Sequence, residues 1–151
     1  MSEQKSEAQF DDLIPELRAW NNGTGIDPKA WVGIVGNYEL AVGYSLLFWP
    51  QFVVVDNYVL KKGVTEELLR DWERVTSGNV KAIESVINHI HIADIHGGQP
   101  TEDQLRYLGR TLKSVYEAKL ATEFPERTFV VIFNDQPGLG LLDYQLTFWQ
   151  A

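Results

Sequence analysis

All three histidines of this 151-residue chain, His89, His91 and His96, fall between residues 89 and 96, and Asp94 lies among them. The spacing is H-x-H-x-x-D-x-H. Imidazole nitrogen and carboxylate oxygen are the donors that zinc, nickel or iron accept. The run is therefore the candidate metal site, and the function it would serve is that of a metal-dependent enzyme. Geometry on a continuous helix opposes that reading. Residues 79–96, NVKAIESVINHIHIADIH, place Val80, Ile83, Val86, Ile87, Ile90 and Ala93 at three- and four-residue spacing. That pattern predicts one helix with an inward apolar stripe, closed by Gly97 and Gly98. On it, His89 and His96 lie two turns apart on the polar side, and His91 and Asp94 one turn apart at the stripe's edge. The four converge on an ion only if the helix unwinds near His91. The expectation is thus structural: His91 and Asp94 satisfy each other at the core margin, and His96 sits near the negative end of a helix.

Other catalytic templates find no match. The chain has no cysteine, which removes disulfides, thiolate metal sites and a cysteine nucleophile, and fits a reducing compartment. Ser45, Ser85 and Ser114 fall inside predicted helices, and no G-x-S-x-G elbow exists. Gly23-Thr24-Gly25 and Gly36 do not form a dinucleotide fingerprint, since neither follows a predicted strand with the required third glycine. Glu39 is the only charge between Lys29 and Asp56. Burial would raise its pKa into a useful range, and an exposed outer helix face is the plainer expectation. No cofactor is expected, and a non-catalytic protein is favoured over an enzyme.

Charge and aromatic content point to binding. A formal net charge of -8 disfavours nucleic acid, whose affinity needs a concentrated positive surface. It suits solubility or capture of a basic protein partner. Tryptophan and tyrosine are common anchors of contact surfaces, and most of those here fall on inward stripes. Trp49, Trp149 and Tyr58 are the candidate binding residues. The N-terminal stretch lacks the apolar run of a secretory signal. The uncharged run from Leu40 to Val55 contains Gly43, Pro50 and Gln51, and it is shorter than the ~20 apolar residues of a membrane helix. A cytoplasmic location with no membrane association is expected; the oligomeric state stays open.

The elements that must position these residues follow from local signals. Residues 1–9 are polar and expected to be flexible. Phe10, Leu13, Ile14 and Leu17 recur at helical spacing up to Trp20, with Pro15 limiting where that helix begins. NNGTG at 21–25 is a turn, and Asp27-Pro28 starts a helix. Tyr38–Trp49 is a second helical stretch. Phe52–Val55 and Tyr58–Leu60 are β-rich around Asp56-Asn57, which predicts a hairpin. Thr65 caps a helix carrying Leu68, Leu69, Trp72 and Val75. Thr101 and Gln104 form a capping box for a helix reaching Phe124, and strands at 128–134 and 143–149 close the chain. The fold class predicted is α+β, one domain from residue 10 to 151, with about five or six helices packed with two antiparallel β-hairpins.

The segments WNNGTGID (20–27), LFWPQFVVVDNYVLKKG (47–63), NHIHIADIH (88–96) and YQLTFWQ (144–150) together resemble a family of small uncharacterised bacterial proteins. The resemblance implies no activity, cofactor or site residue. By size and charge the chain is similar to small acidic bacterial inhibitors. The sequence therefore leads to a protein-binding protein, with an immunity-type inhibitor of a basic toxin as the nearest class.

Overall fold

A computed structural model describes residues 10–151, so the expected flexible segment at 1–9 lies outside the described residues. Among the described residues the chain forms six helices and two small antiparallel sheets, an α+β fold. It divides into two compact units, one ending at Ser45 and the other running from Leu46 to Ala151.

In the first unit, residues 10–13 are helical (α1), and the chain then narrows to a 3-10 turn over Pro15–Ala19. The single helix suggested by the spacing from Phe10 to Trp20 is broken at Ile14, because Pro15 forces its predecessor out of the helical region. Leu13 and Leu17 are the buried side chains here. Asn21 and Asn22 take left-handed conformations, and Gly23 and Gly25 also have positive φ. Helix α2 spans Pro28–Val35, with the Asp27 carboxylate accepting from the Ala30 amide at 3.0 Å. Helix α3 spans Tyr38–Phe48, so its last three residues belong to the second unit, and it is started by the Asn37 side chain accepting from the Leu40 amide at 2.9 Å.

The second unit holds the main core. Strands β1 (Phe52–Val55) and β2 (Tyr58–Lys61) pair as the predicted hairpin, with Asp56 at positive φ in the turn. Helix α4 (Glu66–Thr76) is capped by Thr65 as its sequence requires, and it buries Leu69; Leu68 and Val75 face solvent. Helix α5 covers only Val80–Ile87. The helix expected to run to His96 ends there: Ile90–His91 form strand β3 and Ile92–Asp94 a 3-10 turn. Helix α6 (Glu102–Glu123) starts on the predicted Thr101/Gln104 box. Strands β4 (Phe129–Phe133) and β5 (Gln145–Gln150) pair antiparallel, Val131 opposite Phe148. Strand β3 adds to the other edge of β5, giving the order β3-β5-β4. The second predicted hairpin is thus part of a three-stranded sheet.

Helix α5 ends because of what its polar side chains do. Glu84 and Asn88, one turn apart, are both fully buried. The Glu84 carboxylate accepts from the Val59 amide at 3.2 Å and from the Gln150 amide at 2.7 Å, and also from the Gln150 side chain. Asn88 accepts from the Lys61 amide at 3.0 Å and donates to the carbonyls of Val59 at 2.9 Å and Phe148 at 3.3 Å. Strands β2 and β5 belong to different sheets, and this polar pair supplies the hydrogen bonds that join them. Past Asn88 the backbone of Ile90 and His91 is held by β5, so it cannot also continue a helical ladder.

Around this bridge lies a core of Val59, Ile92, Leu112, Leu120, Leu146 and Phe148 with their neighbours. A second cluster, of Tyr58, Leu60, Leu69, Ile83 and Ile87, sits under α4 and α5. Gly109 lets α6 close onto β4, since a Cβ there would overlap the Phe133 ring. Beyond β4, Asp135 accepts from Arg106 at 2.8 Å and Arg110 at 2.6 Å. Arg110 first and Arg106 second pull its carboxyl down to about 2. Among the described residues no helix is long and apolar enough to cross a membrane.

Two measurements test this scheme. Glu84→Gln replaces one acceptor oxygen by an amide donor facing N–H groups, so urea unfolding should show a loss of about 1–3 kcal/mol. The Asp135 carboxyl has a folded pKa below its ordinary 3.8. Its stabilisation is therefore present above that value and lost as pH falls through the folded one. Asp135→Asn should lower thermal stability at neutral pH, and the deficit relative to the parent should close as pH falls from about 4 to about 2.

Candidate functional site

The turn out of helix at Asn88 puts part of the histidine run into a cleft. Lys61, His89, His91 and Asp94 line it together with an apolar wall that includes Leu46, Leu47, Ile95, Leu112 and Tyr116, around a volume of about 400 Å³. The residue that brings Lys61 there is Asn88, which holds the end of β2 through the Lys61 amide.

The two imidazoles are fixed. His89 and His91 meet edge to face with ring centroids 5.1 Å apart. The Nδ1 of His89 lies 2.5 Å from the Val86 carbonyl, and that of His91 lies 2.7 Å from the Leu142 carbonyl. A carbonyl only accepts, so each Nδ1 carries the hydrogen, and in the neutral ring Nε2 is left as the acceptor. Backbone contacts of this kind orient a ring for use at its other nitrogen.

Lys61 is half-buried, and its ammonium donates to the His89 carbonyl at 3.1 Å. Burial pushes that ammonium below its ordinary pKa. Among the described residues neither Lys61 nor Asp94 has a partner within ion-pair distance, and Asp94 sits at the exposed rim. At the apolar wall, burial pushes the Tyr116 phenol up to about 12.

Of the four residues weighed as metal ligands, the fold brings His89, His91 and Asp94 to one cleft and leaves His96 outside its lining. Among the described residues no three histidine, aspartate or glutamate side chains are grouped to hold a metal ion. The expected pairing of His91 with Asp94 is replaced by His91 bound to the Leu142 carbonyl. The physical reason is the strand at Ile90–His91, which removes the one-turn relation that a helix would have imposed.

The candidate binding residues divide. Tyr58 is 7% exposed, and its hydroxyl donates to Glu73 at 3.0 Å. It is a core residue, in the cluster under α4 and α5. Trp49 is half exposed, with the Lys119 ammonium 5.6 Å from its ring. Trp149 is half-buried beneath the Lys81 ammonium at 5.1 Å. Glu39 is exposed on α3, as the plainer expectation had it.

Lys61 and Tyr116 were not among the sequence candidates. Lys61 reads as the polar exit of a hairpin, and no local pattern marks a lysine whose stem is covered from a distant segment. No family model, curated protein or solved structure matches the chain.

Proposed function

We propose that the chain is a cytoplasmic binding protein whose cleft takes a small zwitterion with an apolar body, of the α-amino-acid class. The observation that carries this is the half-buried Lys61 ammonium, without a carboxylate partner among the described residues, in a cleft whose other free charge is Asp94. A carboxylate brought to Lys61 would relieve the cost of holding a charge away from water. An ammonium suits the Asp94 rim, and Leu46, Leu47, Leu112 and Tyr116 suit an apolar side chain. About 400 Å³ lies within the range of roughly 300–1,000 Å³ usual for small-ligand sites. His89 and His91, each held at Nδ1 by a backbone carbonyl, turn their Nε2 edges to use in orienting a ligand.

A second reading, capture of a basic protein in the manner of an immunity-type inhibitor, is supported by helix α4. There Glu66, Glu67, Asp71 and Glu73, with Asp56 beside them, outnumber Arg70 and Arg74. Arg70 is held by Glu73 at 2.6 Å, Asp56 at 2.8 Å and Glu66 at 3.2 Å, so its charge is already spoken for. The residual negative field would steer a basic surface.

Two titrations followed by amide chemical shifts separate these readings. L-phenylalanine should give saturable shifts at Lys61, His89 and His91, and Lys61→Met should weaken it about tenfold, the equivalent of about 1.4 kcal/mol. Asp94→Asn, at an exposed rim, should weaken it less. No saturation by about 10 mM, or unchanged affinity in folded Lys61→Met, would remove the amino-acid site. Oligolysine should shift the α4 amides and lose its effect as salt is added; shifts spread evenly over the surface would remove the second reading.

A further inference from the structure

Strand β4 bonds to β5 along one edge only. Beside it, the Thr128 carbonyl accepts from the Ala151 amide at 2.9 Å, and the Asn134 amide donates to the Gln145 carbonyl at 3.0 Å. Such bonded pairs recur at every second residue of an antiparallel ladder, so Val130 and Ile132 spend their backbone groups on Trp149 and Thr147 of β5. The amides and carbonyls of Phe129, Val131 and Phe133 point the other way. Among the described residues no strand and no other group bonds to them. Backbone groups shut away from water are nearly always paired, so these six lie open to solvent.

Edges are commonly blunted by a lysine, a proline or a bulge. This one, FVVIF, has no charge and no proline, and its register with β5 runs unbroken over the five residues. Helix α6 crosses under one end of the strand instead of following it: Gly109 meets the Phe133 ring, whereas Tyr116, two turns on, meets Phe52 of β1.

We infer that this edge pairs antiparallel with the same edge of a second copy of the chain, Val131 opposite Val131. The occupant follows from the strand being its own complement in that register. Phe129 of each copy stands opposite Phe133 of the other, and the three free amides of one strand meet the three free carbonyls of its partner. Val130 of each copy stands opposite Ile132 of the other, at the sites of the ladder where side chains come closest. Facing β-branched side chains stabilise such a pair, and Ile132, 41% exposed, gains cover. No residue from 129 to 133 is charged, so two chains of formal charge -8 meet here without like charges opposed. An unrelated strand would satisfy the backbone alone; a copy also pairs Val130 with Ile132 twice across the two-fold axis. The product is one six-stranded sheet.

A contact five residues long is small, and an affinity of tens to hundreds of micromolar is expected. Amide hydrogen exchange on the full chain at about 20 µM and about 1 mM tests it, with sedimentation velocity at both. The Val130 and Ile132 amides should exchange slowly at both concentrations. Those of Phe129, Val131 and Phe133 should be fast in the dilute sample and about threefold or more slower in the concentrated one, where a dimer populates. Added salt should tighten it by screening two acidic chains from each other. Ile132→Lys should weaken association tenfold or more, and slow exchange at Val130 reports that its β4 is still paired with β5. A monomer at about 1 mM overturns the inference, as does a dimer in which the three edge amides stay fast or which folded Ile132→Lys leaves unchanged. Edge amides protected equally at both concentrations also overturn it, and would place a segment of the same chain on β4.

Discussion

Two sheets that share no strand are bridged by two buried polar side chains of one short helix, over an apolar core to which both sheets contribute. Strand β2 belongs to the hairpin and β5 to the three-stranded sheet, so no ladder runs between them. Glu84 and Asn88 fill the gap with hydrogen bonds to backbone groups of both strands. A buried carboxyl group whose oxygens meet amide N–H groups would lose free energy if those hydrogen bonds were broken. Among the described residues no buried side-chain nitrogen or oxygen is left without a partner. The bridge therefore fixes position closely: moving α5 along its axis would unpair several groups at once.

The cleft follows from that bridge. Asn88 ends the helix by turning its side chain onto β2 and β5, and the next residues can only run extended along β5. His89 and His91 then point from a strand-like segment, and Lys61 arrives from the strand end that Asn88 holds. The Lys61 ammonium is thereby tied to the His89 carbonyl. One residue thus closes the helix, joins the sheets and sets the spacing of the site's charged and imidazole groups.

Much of the secondary structure was legible because it rests on local chemistry. Asp27 before Pro28, Thr65 before Glu66, the Thr101/Gln104 box and Asp56 in its turn all do what their side chains favour within three or four residues. The histidine run was misread for the complementary reason. Ile83 and Ile87 keep their helical spacing and are buried as expected, while Ile90 continues the same count inside a strand. Isoleucine suits both states; what decides between them is the carbonyl and amide supplied by Leu146, more than fifty residues away. Lys61 was missed for the same reason, since the carbonyl that holds its ammonium belongs to His89 and the residues that line the cleft with it come from 89–95 and from α6.

Helices α2 and α3 carry the same lesson in reverse. Their caps are locally encoded and their positions match the sequence, yet neither helix contains a buried side chain. Propensity and capping are worth a few tenths to about one kcal/mol each, too little to hold helices of eight and eleven residues in water without packing. An α2 of that length, with Val32, Ile34 and Val35 each more than half exposed, therefore needs apolar contact from outside its own segment. The requirement is energetic and independent of what the cleft binds, because none of these side chains lines it.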